Sequence, residues 1–298
     1  MMRILRWIGW GLGALVVLVL GAHVVASVKW ARHANARIAV PPIAFGNVRA
    51  SAKHGEYLVR VAAACTECHG DDLAGGVVVE DFVPGHIYGP NITQAALKDW
   101  TDAEIAATIH HGVDRTGRPL LIMPSLNFQF LCLQDVADMV AFLRHLPPVN
   151  KANRVTRVGR IIKVLWALGQ VSDVFPAETV DHVRTFTARV PEGPTVAYGR
   201  YLYTSHCAGC HREDGRGGKV TSGPPDWPPA ANLTQDGAGG WKQAEFIRAF
   251  RTGVNASGSA IRPPMGDAIR RTGKLIKEHD LKALWSYLHT LKGKDVGF

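Results

Sequence analysis

Cys65-Thr66-Glu67-Cys68-His69 and Cys207-Ala208-Gly209-Cys210-His211 are two copies of one pentad, Cys-x-x-Cys-His. The spacing has a chemical reason. Two thiols three positions apart on one helical turn reach the two vinyl groups of a haem and form thioethers. The adjacent imidazole then lies under the ring and meets the iron. A zinc site would pair the four thiolates in space and would need neither His in that place. A second copy makes coincidence a poor explanation. The pentads therefore predict two covalently bound haem c groups. One is held by Cys65, Cys68 and His69, the other by Cys207, Cys210 and His211.

Iron opposite His takes Met, His or an open position. The chain has five Met. Met1 and Met2 are terminal, and Met139 shares a helical face with Val136, Val140 and Leu143, so it reads as core. Met123 and Met265 remain, and each stands beside proline. The separations match, 123 − 69 = 265 − 211 = 54, so the ligand set is itself repeated. Proline denies helix to those segments and fixes an extended path, which suits a rigid loop delivering sulfur. Met123 and Met265 are the expected sixth ligands. His110 or His111 and His206 or His279 are the competitors, read more simply as surface or packing residues. Other echoes support a duplication. Pro90-Asn91-Ile92-Thr93 matches Ala231-Asn232-Leu233-Thr234, and Gly55-Glu56-Tyr57-Leu58 matches Gly199-Arg200-Tyr201-Leu202.

Each module runs helix, pentad, Gly-rich loop, Asn-x-Thr, Trp-capped helix, Met loop and terminal helix. This order resembles class I cytochrome c. The first module, with Trp100-Thr101-Asp102-Ala103-Glu104-Ile105, Gly117-Arg118-Pro119-Leu120 and Met123-Pro124-Ser125, resembles the cytochrome subunits of membrane-bound alcohol and gluconate dehydrogenases. Those subunits usually carry three haems, and this chain has two pentads. The resemblance implies an all-α fold of two tandem cytochrome c domains. It also offers Asn91, Thr93, Asn232 and Thr234 as groups supporting the haem ligands.

Ile4 to Val28 is an apolar run long enough to cross a bilayer, which takes about 20 residues. Basic residues flank both ends, so charge bias does not orient it. Haem c is attached outside the bacterial inner membrane, which predicts the N-terminus inside and the haems in the periplasm. A cleaved signal peptide is the rival, with Val24-Val25-Ala26 as its cleavage site. The expected divisions are a transmembrane anchor at 1–30, a tether at 31–50, domain 1 at 51–150, a connecting segment at 151–194 and domain 2 at 195–298. Cys132, among Phe130, Leu131 and Leu133, reads as a buried free thiol.

The net charge of +9 is uneven: +6 over residues 1–50, −6 over 51–150, +3 over 151–194 and +6 over 195–298. Such fields steer encounters between redox partners. No nucleic-acid recognition motif accompanies the basic balance. In the connecting segment Val155, Val158, Ile161, Ile162, Leu165 and Leu168 fall at helical spacing, opposite Arg154, Arg157, Arg160 and Lys163. That pattern predicts a basic amphipathic helix, packed within the protein or lying on a membrane. Thr101 and Glu104 predict a capping box opening a helix over 102–110. Residues 133–145 predict the terminal helix of domain 1. Little strand signal is present.

Two Met-ligated irons leave no vacancy for a substrate. The sequence therefore reads as an electron carrier rather than an enzyme. It would relay electrons from a membrane dehydrogenase or quinol-oxidising complex to an oxidase, reaction centre or soluble carrier. The rivals are a dihaem peroxidase, which needs a releasable distal ligand, and a thiosulfate-oxidising enzyme, for which Cys132 is a weak ligand candidate. A haem sensor or structural subunit is the third class.

Overall fold

The structure is a computed structural model that describes residues 2–220 and 227–293; the end of the expected second domain, 294–298, lies outside them. In chain order the helices are α1 (Met2–Ala34), α2 (Ala52–Tyr57), α3 (Thr66–His69), α4 (Gln94–Leu97), α5 (Asp102–His111), α6 (Ser125–Phe128), α7 (Leu133–His145), α8 (Arg160–Ala167), α9 (Val196–Leu202), α10 (Ala208–His211), α11 (Gln243–Thr252), α12 (Met265–Thr272) and α13 (Glu278–Leu288). Three strands, β1 (Gly76–Asp81), β2 (Gly85–Gly89) and β3 (Arg157–Val158), form an antiparallel sheet in that order. The chain is thus mostly helical, with one small sheet that the sequence reading lacked. Its source is visible afterwards: Val77-Val78-Val79 is a β-branched run. β3 also takes the start of the expected amphipathic helix. That helix begins at Arg160, capped by Gly159, because residues 157–158 are paired to β2.

Local signals set several elements as predicted. Thr101 and Glu104 cap α5 reciprocally, and Gly112 ends it in the left-handed conformation. α7 spans the predicted range and buries Val136, Val140 and Leu143, with Met139 beside them in the core. In each module the helix leading to the pentad, α2 or α9, crosses the terminal helix, α7 or α13. Both leading helices end in a π-helical turn, Leu58–Ala62 and Tyr203–Cys207. π-turns of this kind concentrate at functional sites.

The two modules share one core and are joined reciprocally. Tyr57 of the first donates its hydroxyl to Asp280 on α13 of the second. Tyr201 of the second donates to Asp135 Oδ2 on α7 of the first, at 2.5 Å. The exchange approximates a two-fold axis between the halves of the repeat, as in a symmetric dimer. Cys132 is buried at this junction, and its backbone N–H donates to Tyr201 Oη at 3.1 Å.

His54 lies in the same seam. Its Nδ1 is 2.8 Å from Asp138 Oδ2 and 3.9 Å from Asp135 Oδ1, and its Nε2 is 3.4 Å from Glu192 Oε1. The hydrogen bond to Asp138 raises its pKa above 6.5, against burial and the nearby Lys277. A raised histidine pKa gives stability that is complete below the unfolded value and is lost as pH climbs through the folded one. His54→Gln should therefore flatten the fall in stability between about pH 6 and 8. Urea midpoints at the two pH values check this, and an unchanged slope would rule His54 out as its source.

Residues 171–190 wrap over the first module. The Ile122 amide donates to Val174 O at 3.0 Å, and the Asp181 amide donates to Gln129 Oε1 at 3.1 Å. α1 runs four residues past the expected anchor, and its end packs on α8: Trp30 and Trp166 meet edge to face at 5.3 Å.

Candidate haem sites

The last four residues of each pentad form a single short turn, α3 or α10, capped by the first cysteine; Cys65 stands three residues past its π-turn and Cys207 ends its own. Burial pushes the Cys65 and Cys207 thiols up to about 12 and raises those of Cys68 and Cys210. The imidazoles are oriented identically. His69 Nδ1 is 2.7 Å from Pro90 O, and His211 Nδ1 is 2.9 Å from Ala231 O. A carbonyl only accepts, so Nδ1 carries the proton and donates, and Nε2 keeps its lone pair for a metal. Burial lowers both imidazole pKa values, which keeps the rings neutral.

The repeated Asn-x-Thr explains why those carbonyls stand where they do. Asn91 Oδ1 accepts from the Thr93 amide at 2.9 Å and from Thr93 Oγ1 at 2.8 Å. Asn232 accepts from the Thr234 amide and hydroxyl at the same distances. Each Asn thus fixes a turn at the residue following the accepting carbonyl. Sequence reasoning offered these four side chains but missed the Pro90 and Ala231 carbonyls. Their position immediately before a repeated turn was the available signal.

The methionines are not equivalent. Met123 lies in a bent loop against the core, just after Ile122 in the left-handed conformation. Met265, expected in a similar loop, instead opens α12 and is 36% exposed. Proline is compatible with the entry to a helix, where its missing N–H has no intrahelical partner to lose.

Of the surface and packing roles expected for the rival histidines, His110 and His111 take the packing one. His110 and His111 are not surface residues: both are 1% exposed, and burial pushes each down to about 4. His182 and Phe186 of the connecting segment cover them, with His182 Nδ1 3.2 Å from His111 Nδ1 and Phe186 4.3 Å from the His110 ring. His279 is engaged by Glu192 and Asp280 at the module seam. His206, next to Cys207, has both ring nitrogens buried without a hydrogen-bond partner among the described residues. An orphaned polar side chain beside an attachment cysteine, with two oriented neutral imidazoles, fits a haem at each pentad.

The Met-bearing segments cross between modules. α6, just after Met123, packs on the π-turn and α10 of the second module, where a Cβ on Gly209 would lie 2.6 Å from Asn127 Nδ2. α12 packs on the π-turn of the first, and Arg271 Nε lies 3.4 Å from Glu67 Oε1 within the first pentad.

Comparison with known proteins finds a cytochrome match over each module. Residues 196–292 match the family model for cytochrome c, and residues 50–143 match that for cytochrome c oxidase, cbb3-type, subunit III. A dihaem cytochrome c-type protein of Cereibacter sphaeroides is 25% identical over 83% of this chain and 88% of its own length. The fructose dehydrogenase cytochrome subunit of Gluconobacter japonicus is 32% identical over 55% of this chain, which spans 34% of that subunit. The reducing HAO-like protein complex of Kuenenia stuttgartiensis covers 86% of the chain at 17% identity with a TM-score of only 0.23. With a covalent attachment pair at Cys65 and Cys68 and another at Cys207 and Cys210, the chain is a dihaem cytochrome c of two cytochrome c domains behind an N-terminal apolar helix.

Proposed function

We propose that this protein relays electrons at the periplasmic face of the inner membrane, from a membrane dehydrogenase or quinol-oxidising complex to an oxidase, reaction centre or soluble carrier. His69 and Met123 hold the first iron in this reading, and His211 and Met265 the second. Bound haem supplies one-electron iron chemistry. The chain's own residues do the rest. The Pro90 and Ala231 carbonyls hold each imidazole in one orientation with its proton on Nδ1, and burial favours the neutral ring. Thioether sulfur ties each ring edge to the pentad turn.

The observation that carries the reading is the reciprocal crossing. α6 packs on the π-turn and α10 of the second module, and α12 packs on the π-turn of the first and pairs Arg271 with Glu67 of its pentad, so the two haem cradles adjoin. Adjoining cradles suit transfer in series. The fructose dehydrogenase relative supports a dehydrogenase as donor. α1, long and apolar enough to cross a membrane, would anchor the chain; a signal sequence passes the same test.

A redox titration of the purified protein, with optical spectra before and after carbon monoxide, tests the relay. The expected result is two low-spin one-electron transitions and no carbon monoxide adduct. A high-spin or carbon-monoxide-binding haem in either module would overturn double Met ligation and point to peroxidase or sensor chemistry.

A further inference from the structure

We propose that the tip of the β1–β2 hairpin and the outer edge of α8 form a second membrane contact, seated on an anionic phospholipid surface. This rests on the reading of α1 as a retained anchor.

The first observation is where the body meets α1. His23, Ala26, Trp30 and His33 make a stripe at helical spacing that is buried or half-buried, while residues 3–22 are exposed. About 20 residues cross the hydrocarbon, so a stripe starting at His23 begins where α1 leaves it. α8 packs on that stripe: Trp166 lies 4.9 Å from the His33 ring, and Lys29 Nζ donates to Ala167 O at 3.4 Å. α8 is therefore held at the level of the headgroups.

The second observation is what α8 carries outward. Ile161 is 47% exposed and Leu168 67%. The hairpin is tied to the start of α8, with the Gly159 amide donating to Pro84 O at 3.0 Å. Its tip exposes Phe82 at 91% and Val83 at 40%. Large apolar side chains projecting this far mark an interaction surface. Arg157 and Arg160 stand exposed beside them. Of the acids nearby, Glu80 pairs with Arg154 at 2.7 Å, and Asp81, whose Oδ1 accepts from the Phe82 amide at 2.5 Å, is one carboxylate against the two arginines. Apolar side chains where cations outnumber anions, next to an emerging membrane helix, match a bilayer surface carrying negative headgroups.

The test uses the full chain with both haems, in nanodiscs of phosphatidylcholine with phosphatidylglycerol. Nitroxide labels go singly on Phe82→Cys, Leu168→Cys, Leu15→Cys within α1 and Leu275→Cys on the second module, all exposed positions. The expected result is that labels at 15, 82 and 168 are reached by oxygen and shielded from a nickel chelate, with the reverse at 275. Shielding at 82 and 168 should weaken severalfold in discs of phosphatidylcholine alone. A shielded 15 with 82 and 168 open to nickel would overturn the second contact and leave the anchor standing. A nickel-accessible 15 would overturn the anchor and the inference with it. Labels at 82 and 168 closed to both reagents would mean that protein covers the face, and lipid-independent shielding would remove the anionic requirement; either result overturns the proposal as stated.

Discussion

Met265→Ala is expected to open the second iron to carbon monoxide and leave the first closed. Met265 is the first residue of α12 and more than a third exposed, so its side chain supports little of the core. α12 stays in place through Ile269, which is buried. Loss of the sulfur should therefore act on the iron and not on the fold. Axial ligands tune haem potentials across roughly 0.8 V, and Met raises the potential. The second transition should fall by on the order of 0.1–0.3 V, within that range, with the first unmoved. Carbon monoxide should then bind half of the reduced haem. If both haems stay closed and both potentials hold, Met265 is not the ligand. His206, whose two buried ring nitrogens have no partner among the described residues, would be the next group to replace.

The second large effect belongs to Gly55→Val and its counterpart Gly199→Val. A Cβ on Gly55 would lie 1.8 Å from the Asp138 carbonyl oxygen, and one on Gly199 1.9 Å from that of Ala283. These neighbours are backbone atoms of α7 and α13, so they cannot rotate aside. The crossing helices must separate, and with them the core beneath each pentad. Overpacking of this kind costs about 3 kcal/mol or more, a large part of the roughly 5–15 kcal/mol that holds a domain folded. Guanidinium unfolding followed at the haem absorbance of each variant measures it. A loss below about 1 kcal/mol would show that the helices cross less closely than described.

What the sequence disclosed was whatever local pattern could encode. The capping box of α5, the span of α7 and the duplication all rest on spacings within a few turns or on repetition. The pairing of Tyr57 with Asp280 joins positions 223 apart, and no periodicity announces it. β3 is two residues long and exists only because β2 lies beside it. For His110 and His111 the sequence left surface or packing open, and the choice is made by His182, 71 positions beyond His111, which closes over them. Pro263-Pro264 was read as a bar to helix, yet proline is equally at home just ahead of a first turn.

The reciprocal Tyr57–Asp280 and Tyr201–Asp135 pairs have a further consequence. A pair of sites exchanged by a two-fold rotation has no forward direction: each is uphill and downhill of the other to the same degree. Rectification must then come from whatever breaks that symmetry. Here the hairpin and the wrapped residues 171–190 clothe the first module, and the charge is −6 over 51–150 against +6 over 195–298. In the relay proposed above, the symmetric core would carry the current and the unequal clothing would give it a sense.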